Sequence, residues 1–139
     1  MGASEDWSES AQPAEGGEQT WIHRKRRRPP PPVGSDEYPH LGYITVSFEP
    51  GARPGEPGAV PLEALEALVA AAEAAFAADG LAIYVATVLK PGMRDLRFYT
   101  RSAEAFDVAA GAFAAQWPQW RIAHAVFNDP LWTRYWEIP

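Results

Sequence analysis

Arg97, Tyr99 and Arg101 alternate along one short segment, and in a strand that spacing puts all three on one side. Rings interleaved with guanidinium groups are the equipment of single-stranded RNA platforms, where bases stack on the rings and cations hold phosphates. A second group stands near the C-terminus, where Trp132, Tyr135 and Trp136 follow an Asn128-Asp129-Pro130 turn. Aromatics of that size anchor protein interfaces when exposed and close a core when buried. The third is a run of five cations, Arg24, Lys25, Arg26, Arg27 and Arg28, leading into four consecutive prolines from Pro29 to Pro32. Such an arm suits docking on an acidic partner, on nucleic acid or on an anionic surface.

Catalytic chemistry finds less to work with. His124 shares its strand face with Ile122 and Val126 and reads as a hydrogen-bonded core residue, while His23 and His40 lie too far off to complete a zinc site with it. Asp95, Asp107 and Asp129 are not brought together by spacing. The loop from Gly51 to Gly58 is interrupted by Pro54 and Pro57, which remove backbone donors that a phosphate cradle requires. The chain is expected to be no enzyme and to bind no cofactor or metal.

Composition narrows the classes further. With 12 Lys and Arg against 18 Asp and Glu the formal charge is −6, which disfavours general polyanion binding. There is no cysteine, so disulfides, thiolate metal sites and cysteine nucleophiles are excluded. The N-terminus is polar and acidic without an apolar leader, and the helical stretch 62–78 carries Glu63, Glu66 and Glu73, so neither a signal peptide nor a membrane span is expected. The expected compartment is the cytoplasm.

Two regions follow from the pattern. Residues 1–37 read as a disordered tail, too poor in aliphatic side chains to offset ordering entropy, with the prolines as a short polyproline II rod. Residues 38–139 read as a compact domain. Tyr43 to Phe48 alternates as a half-buried strand, with Ile44, Val46 and Phe48 on one face. Leu62, Leu65, Leu68, Val69, Ala72 and Phe76 form a helical stripe that Asp79-Gly80 ends. Leu81–Leu89 reads as a central strand, and a Lys90-Pro91-Gly92-Met93 turn leads into the Arg97 strand, with Leu96 and Phe98 inward. Ser102 is a candidate N-cap for a helix whose stripe is Phe106, Ala110, Phe113 and Trp117. A last strand runs from Arg121 to Phe127. The order β-α-β-β-α-β predicts an α+β, ferredoxin-like sandwich: a four-stranded antiparallel sheet with two helices on one face. Its open face then carries Tyr43, Thr45, Ser47, Tyr84, Arg97, Tyr99, Arg101, Arg121 and Phe127.

Three segments also carry a family resemblance. Tyr38-Pro39-His40-Leu41, the strand Arg94 to Thr100, and Asp129-Pro130-Leu131-Trp132 with Tyr135 are similar to the bacterial domain-of-unknown-function family 695. The resemblance covers residues 38–139 and implies an α+β sandwich without assigned catalytic residues. It further implies that some relatives are similar to the regulator of ribonuclease E activity B, an acidic inhibitor that works by binding a protein.

The function expected from all this is a non-catalytic domain that binds a macromolecule, most simply a protein, as adaptor or inhibitor. Trp132, Tyr135, Trp136, Tyr99, Arg97 and Arg101 would form the contact surface and Arg24–Arg28 an accessory arm. RNA binding by the open sheet face is the alternative, and an immunity-type, toxin-neutralising role is a third. The domain itself has seven basic against eleven acidic residues and no RNA-recognition strand motif.

Overall fold

Among the described residues six strands form one sheet, in the spatial order β1-β2-β4-β5-β3-β6, with every neighbouring pair antiparallel. In chain order the elements are β1 (Trp7–Pro13), β2 (Thr20–Arg26), β3 (His40–Ser47), α1 (Leu62–Ala77), β4 (Ala82–Lys90), β5 (Met93–Thr100), α2 (Ala103–Gln116), β6 (Arg121–Asn128) and α3 (Thr133–Glu137). The computed structural model describes residues 7–13, 20–26 and 37–138.

The first core lies between the sheet and the pair α1 and α2. Alternation in β3 sends Ile44 and Val46 toward the helices, where Leu65, Leu68, Ala72 and Phe76 of α1 meet them. Phe76 is the hub, with ring centroids 5.0 Å from Phe98, 4.9 Å from Phe106 and 5.8 Å from Phe113. Gly42 in β3 makes this packing possible, because a Cβ there would come within 2.5 Å of the Phe106 ring. The helix ends have local causes. Ser102 Oγ accepts the Ala105 N–H at 3.1 Å at the start of α2. After α1 a short 3₁₀ turn, Ala78–Gly80, carries Asp79 and Gly80 at φ of 56° and 67°, a left-handed excursion that stops the helix.

The expected four-stranded ferredoxin-like sheet with two helices is corrected to six strands and three α-helices among the described residues. Two pieces of the segment assigned to a disordered tail form the hairpin β1–β2, and β2 adds to the edge of β4, from Ile22 opposite Leu89 to Lys25 opposite Ala86. Composition misled because it averages over the whole segment. A strand added to an existing edge draws its backbone bonds from that edge and needs only a few sheltered side chains. Here Arg24 turns toward the helix side and bonds Glu9 at 2.8 Å, while His23 and Lys25 turn to the opposite face. The polyproline rod, the cations Arg27 and Arg28, and the disorder expected at 1–6, 14–19 and 27–36 lie outside the described residues.

A second correction concerns Tyr84. A β-bulge between Tyr84 and Ala86 shifts the β4 register, and Tyr84 sits opposite Phe98 on the helix side instead of on the open face. No helix among the described residues is long and apolar enough to cross a membrane.

Candidate functional site

The sheet face away from α1 and α2 is closed at one end by residues 129–138. The chain leaves β6 through Asn128-Asp129-Pro130, and Asp129 N–H bonds back to the Pro39 carbonyl at 2.8 Å. Trp132 then adopts φ 58° and ψ 35°, a left-handed conformation unusual for a bulky residue. That twist drops its ring flat onto Tyr99, with centroids 4.0 Å apart and planes within 7°. Its indole Nε1 donates to the Tyr38 carbonyl at 2.8 Å, which satisfies the one polar atom of a fully buried side chain.

Asp129 is the node of this closure. Its Oδ1 accepts the Thr133 N–H at 3.0 Å, and its Oδ2 accepts the Arg134 N–H at 3.1 Å and the Tyr99 hydroxyl at 2.6 Å. One buried carboxylate thus caps the first turn of α3 and ties it to β5. The Tyr99 oxygen in turn accepts the Tyr135 N–H at 3.2 Å. Burial, then the bond and charge of Asp129, push the Tyr99 phenol well above its usual pKa. Tyr38, Leu41, Val85, Ala86, Tyr99, Trp132, Tyr135 and Ile138 form the resulting second core.

The hairpin holds the other side of the lid. Lys25 Nζ donates to the Ile138 carbonyl at 3.1 Å and lies 4.5 Å from the centre of the Tyr135 ring and 5.5 Å from that of Trp136. Partial burial lowers its pKa. His23, two residues earlier on the same face, is buried, and its pKa is lowered by that burial and then by the charges of Arg97 and Lys90.

The residues expected to make contact therefore divide. Trp132, Tyr135 and Tyr99 are buried in the second core and present no surface to a base or a partner. Trp136 is 57 % exposed, and its neighbour Leu131, which the sequence reading did not single out, is 72 % exposed. Arg97 is largely covered, bonding Asp95 at 3.3 Å and lying over the Tyr43 ring at 5.1 Å. Arg101 stays exposed beside Tyr38, whose hydroxyl accepts its Nε at 3.2 Å. In the basic arm, Arg24 pairs with Glu9 and Lys25 clamps α3; of the Arg26 side chain nothing is described.

His124 faces α2, with Nδ1 3.0 Å from the Asp107 carboxylate. Arg94, on the helix side, escaped notice in the sequence although its guanidinium is almost fully buried, donating to the Gly55 carbonyl at 2.8 Å and to Glu66 at 3.1 Å. Among the described residues no three His, Asp or Glu side chains group closely enough to hold a metal.

No curated protein and no solved structure matches the chain, so the further likeness to the ribonuclease E regulator gains no support. Residues 32–138 match the family of unknown function DUF695. The match takes in β3 through α3, including Tyr99, Asp129 and Trp132, and the chain belongs to that family.

Proposed function

We propose that this is a non-catalytic, cytoplasmic domain that works by binding another protein, with Leu131 and Trp136 as the anchors of the contact and Arg101 at its margin. The observation that carries the reading is selective exposure: Leu131 and Trp136 stand more than half exposed in a segment whose other large apolar side chains, Trp132, Tyr135 and Ile138, are buried. A segment that only closed a core would gain nothing from an exposed Leu and Trp, and Trp is among the residue types enriched at interface hot spots. The acidic charge of −6 favours protein over nucleic acid. RNA binding by stacking on Tyr99 is disfavoured, because that ring is already covered by Trp132.

The test is capture from a native lysate by the full chain and by the Leu131→Ser/Trp136→Ser variant, with and without ribonuclease. The expected result is one stoichiometric, ribonuclease-resistant protein that the variant loses while its melting temperature is unchanged. Equal capture by both chains contradicts the reading, and loss of all captured material with ribonuclease would move it to RNA. If the captured protein is a toxin, the immunity-type role follows as a special case.

A further inference from the structure

Among the described residues β6 is an edge strand, paired on one side only. β6 forms eight consecutive pairs with β3 without a bulge, and no other described strand pairs with it. The phase of its ladder can be read from one bond. Asp129 N–H points to the Pro39 carbonyl, so alternation turns Asp129, Phe127, Ala125, Ala123 and Arg121 toward β3. The N–H and C=O groups of Ile122, His124, Val126 and Asn128 therefore point out of the sheet. Sheets usually protect such an edge with Pro, Lys, a bulge or a covering element. The opposite edge strand, β1, carries Glu9 and ends in Pro13. β6, with the sequence Arg-Ile-Ala-His-Ala-Val-Phe-Asn, has no Pro, Lys or bulge, and no other described strand covers its outer edge.

We propose that two chains join β6 to β6 in antiparallel register about a two-fold axis at His124, making one continuous sheet. In that register the outward groups fall opposite each other: His124 against His124, and Ile122 against Val126, each a pair able to exchange both backbone bonds. Ile122 and Val126 lie on the α2 side, so the cross-strand contact there is apolar. On the other side Ala123 meets Ala125, and Arg121 meets Phe127, a large side chain that is 54 % exposed in the single chain.

Charge fits the same register. Arg121 is exposed and has no ion pair among the described residues. Brought opposite Phe127, it reaches an open hollow of about 670 Å³ lined by Leu41, Phe127, Asn128, Thr133, Arg134 and Glu137. Asp129 also borders that hollow, so its two carboxylates outnumber Arg134. A cation from a second copy balances what the single chain leaves in excess. Room exists on the helix side too. Asp107 touches His124, which places that flank of α2 over β6, and the next residues on the same flank are Gly111 and Ala114. A Cβ at Gly111 would meet nothing within 4 Å, leaving space for the partner's α2 to approach. This pairing uses the strand edge and Arg121, not Leu131 or Trp136, so it stands or falls apart from the contact proposed above.

The test is sedimentation equilibrium on the purified full chain, together with hydrogen exchange at β6. The expected species is a dimer of twice the 15.2 kDa chain mass, with slow exchange at the amides of Ile122, His124 and Val126. Val126→Pro removes an outward N–H that the single chain does not use, so the expected variant is a folded monomer. Should that variant fail to fold, charge reversal decides: Arg121→Glu weakens association by about tenfold or more, and Arg121→Glu with Glu137→Arg restores it. A chain that stays monomeric up to millimolar concentration, with those three amides exchanging freely, overturns the proposal and leaves the edge to a foreign strand. A dimer untouched by folded Val126→Pro, or by both charge variants, overturns it as well.

Discussion

On the helix-covered side of the sheet, Phe76, Phe98, Phe106 and Phe113 meet with no polar side-chain atom among them. On the other side, Tyr99, Trp132 and Tyr135 meet through a phenol, an indole N–H and the Asp129 carboxylate. The first side is closed by two helices of 16 and 14 residues, the second by one of five. A five-residue helix cannot hold itself together in water. Its stability must come from the groups it docks on, and so the second side substitutes directed bonds for buried area. That difference separates two kinds of sensitivity: the helix side should respond to volume, and the α3 side to the loss of single hydrogen-bonding atoms.

The largest expected effect breaks the lid outright. Trp132→Ala removes the stack on Tyr99 and strands the Tyr38 carbonyl, and should cost about 3–5 kcal/mol in denaturant unfolding. A smaller change would mean that α3 is an appendage and not part of a core. On the helix side, Gly42→Ala adds a single methyl group against Phe106 and should cost about 1–3 kcal/mol through overpacking alone. Neutral behaviour there would show that the Phe cluster yields to volume, which erases the contrast.

Alkaline titration sharpens the comparison without changing a volume. The native pKa of the Tyr99 phenol is raised, so above its ordinary value of 10.0 the unfolded chain releases this proton while the native chain keeps it. Stability contributed by the neutral phenol is therefore fully present below pH 10 and declines as pH climbs beyond it. Tyr99→Phe should start from lower stability and show a shallower alkaline loss, measured as melting temperature against pH. Tyr84, on the apolar side, is also pushed up, to about 12, mainly by burial. A Tyr84→Phe control separates the two phenols. The smallest effect is expected at the exposed end of the lid, where Trp136→Ala should stay within about 0.5 kcal/mol of the parent chain. A larger loss would place Trp136 in the fold and weaken its assignment to a partner.

The two sides were also unequally legible in the sequence. Apolar residues at a fixed period reveal the helix side directly: Ile44 and Val46 at spacing two, Leu65, Leu68, Ala72 and Phe76 at helical spacing. All these positions are in the first core. The α3 side has no period, because its partners come from four separate segments, Lys25, Tyr38, Tyr99 and Asp129–Ile138. Nothing local in Lys25 says that its ammonium will meet the carbonyl of Ile138, 113 residues on. The β1–β2 hairpin was hidden for a related reason, since β2 draws its bonds from the edge of β4 and β1 draws its own from β2. Tyr84 was placed on the wrong face because one bulged residue reverses every parity before it. What could be read was that the C-terminal aromatics either close a core or form a contact. Trp132 and Tyr135 close a core while Trp136 stays exposed, and that division turns on the left-handed backbone at Trp132.

The measurement that bears most directly on a bond-locked second core is a double-mutant cycle of Tyr99→Phe and Asp129→Ala, read by denaturant unfolding of the full chain. Both residues belong to one hydrogen-bonded unit, so a coupling energy of about 1–3 kcal/mol is expected, the double variant losing less than the two single losses combined. Additive losses, with coupling below about 0.3 kcal/mol, would contradict the account and show that α3 is held by burial, as the helix side is.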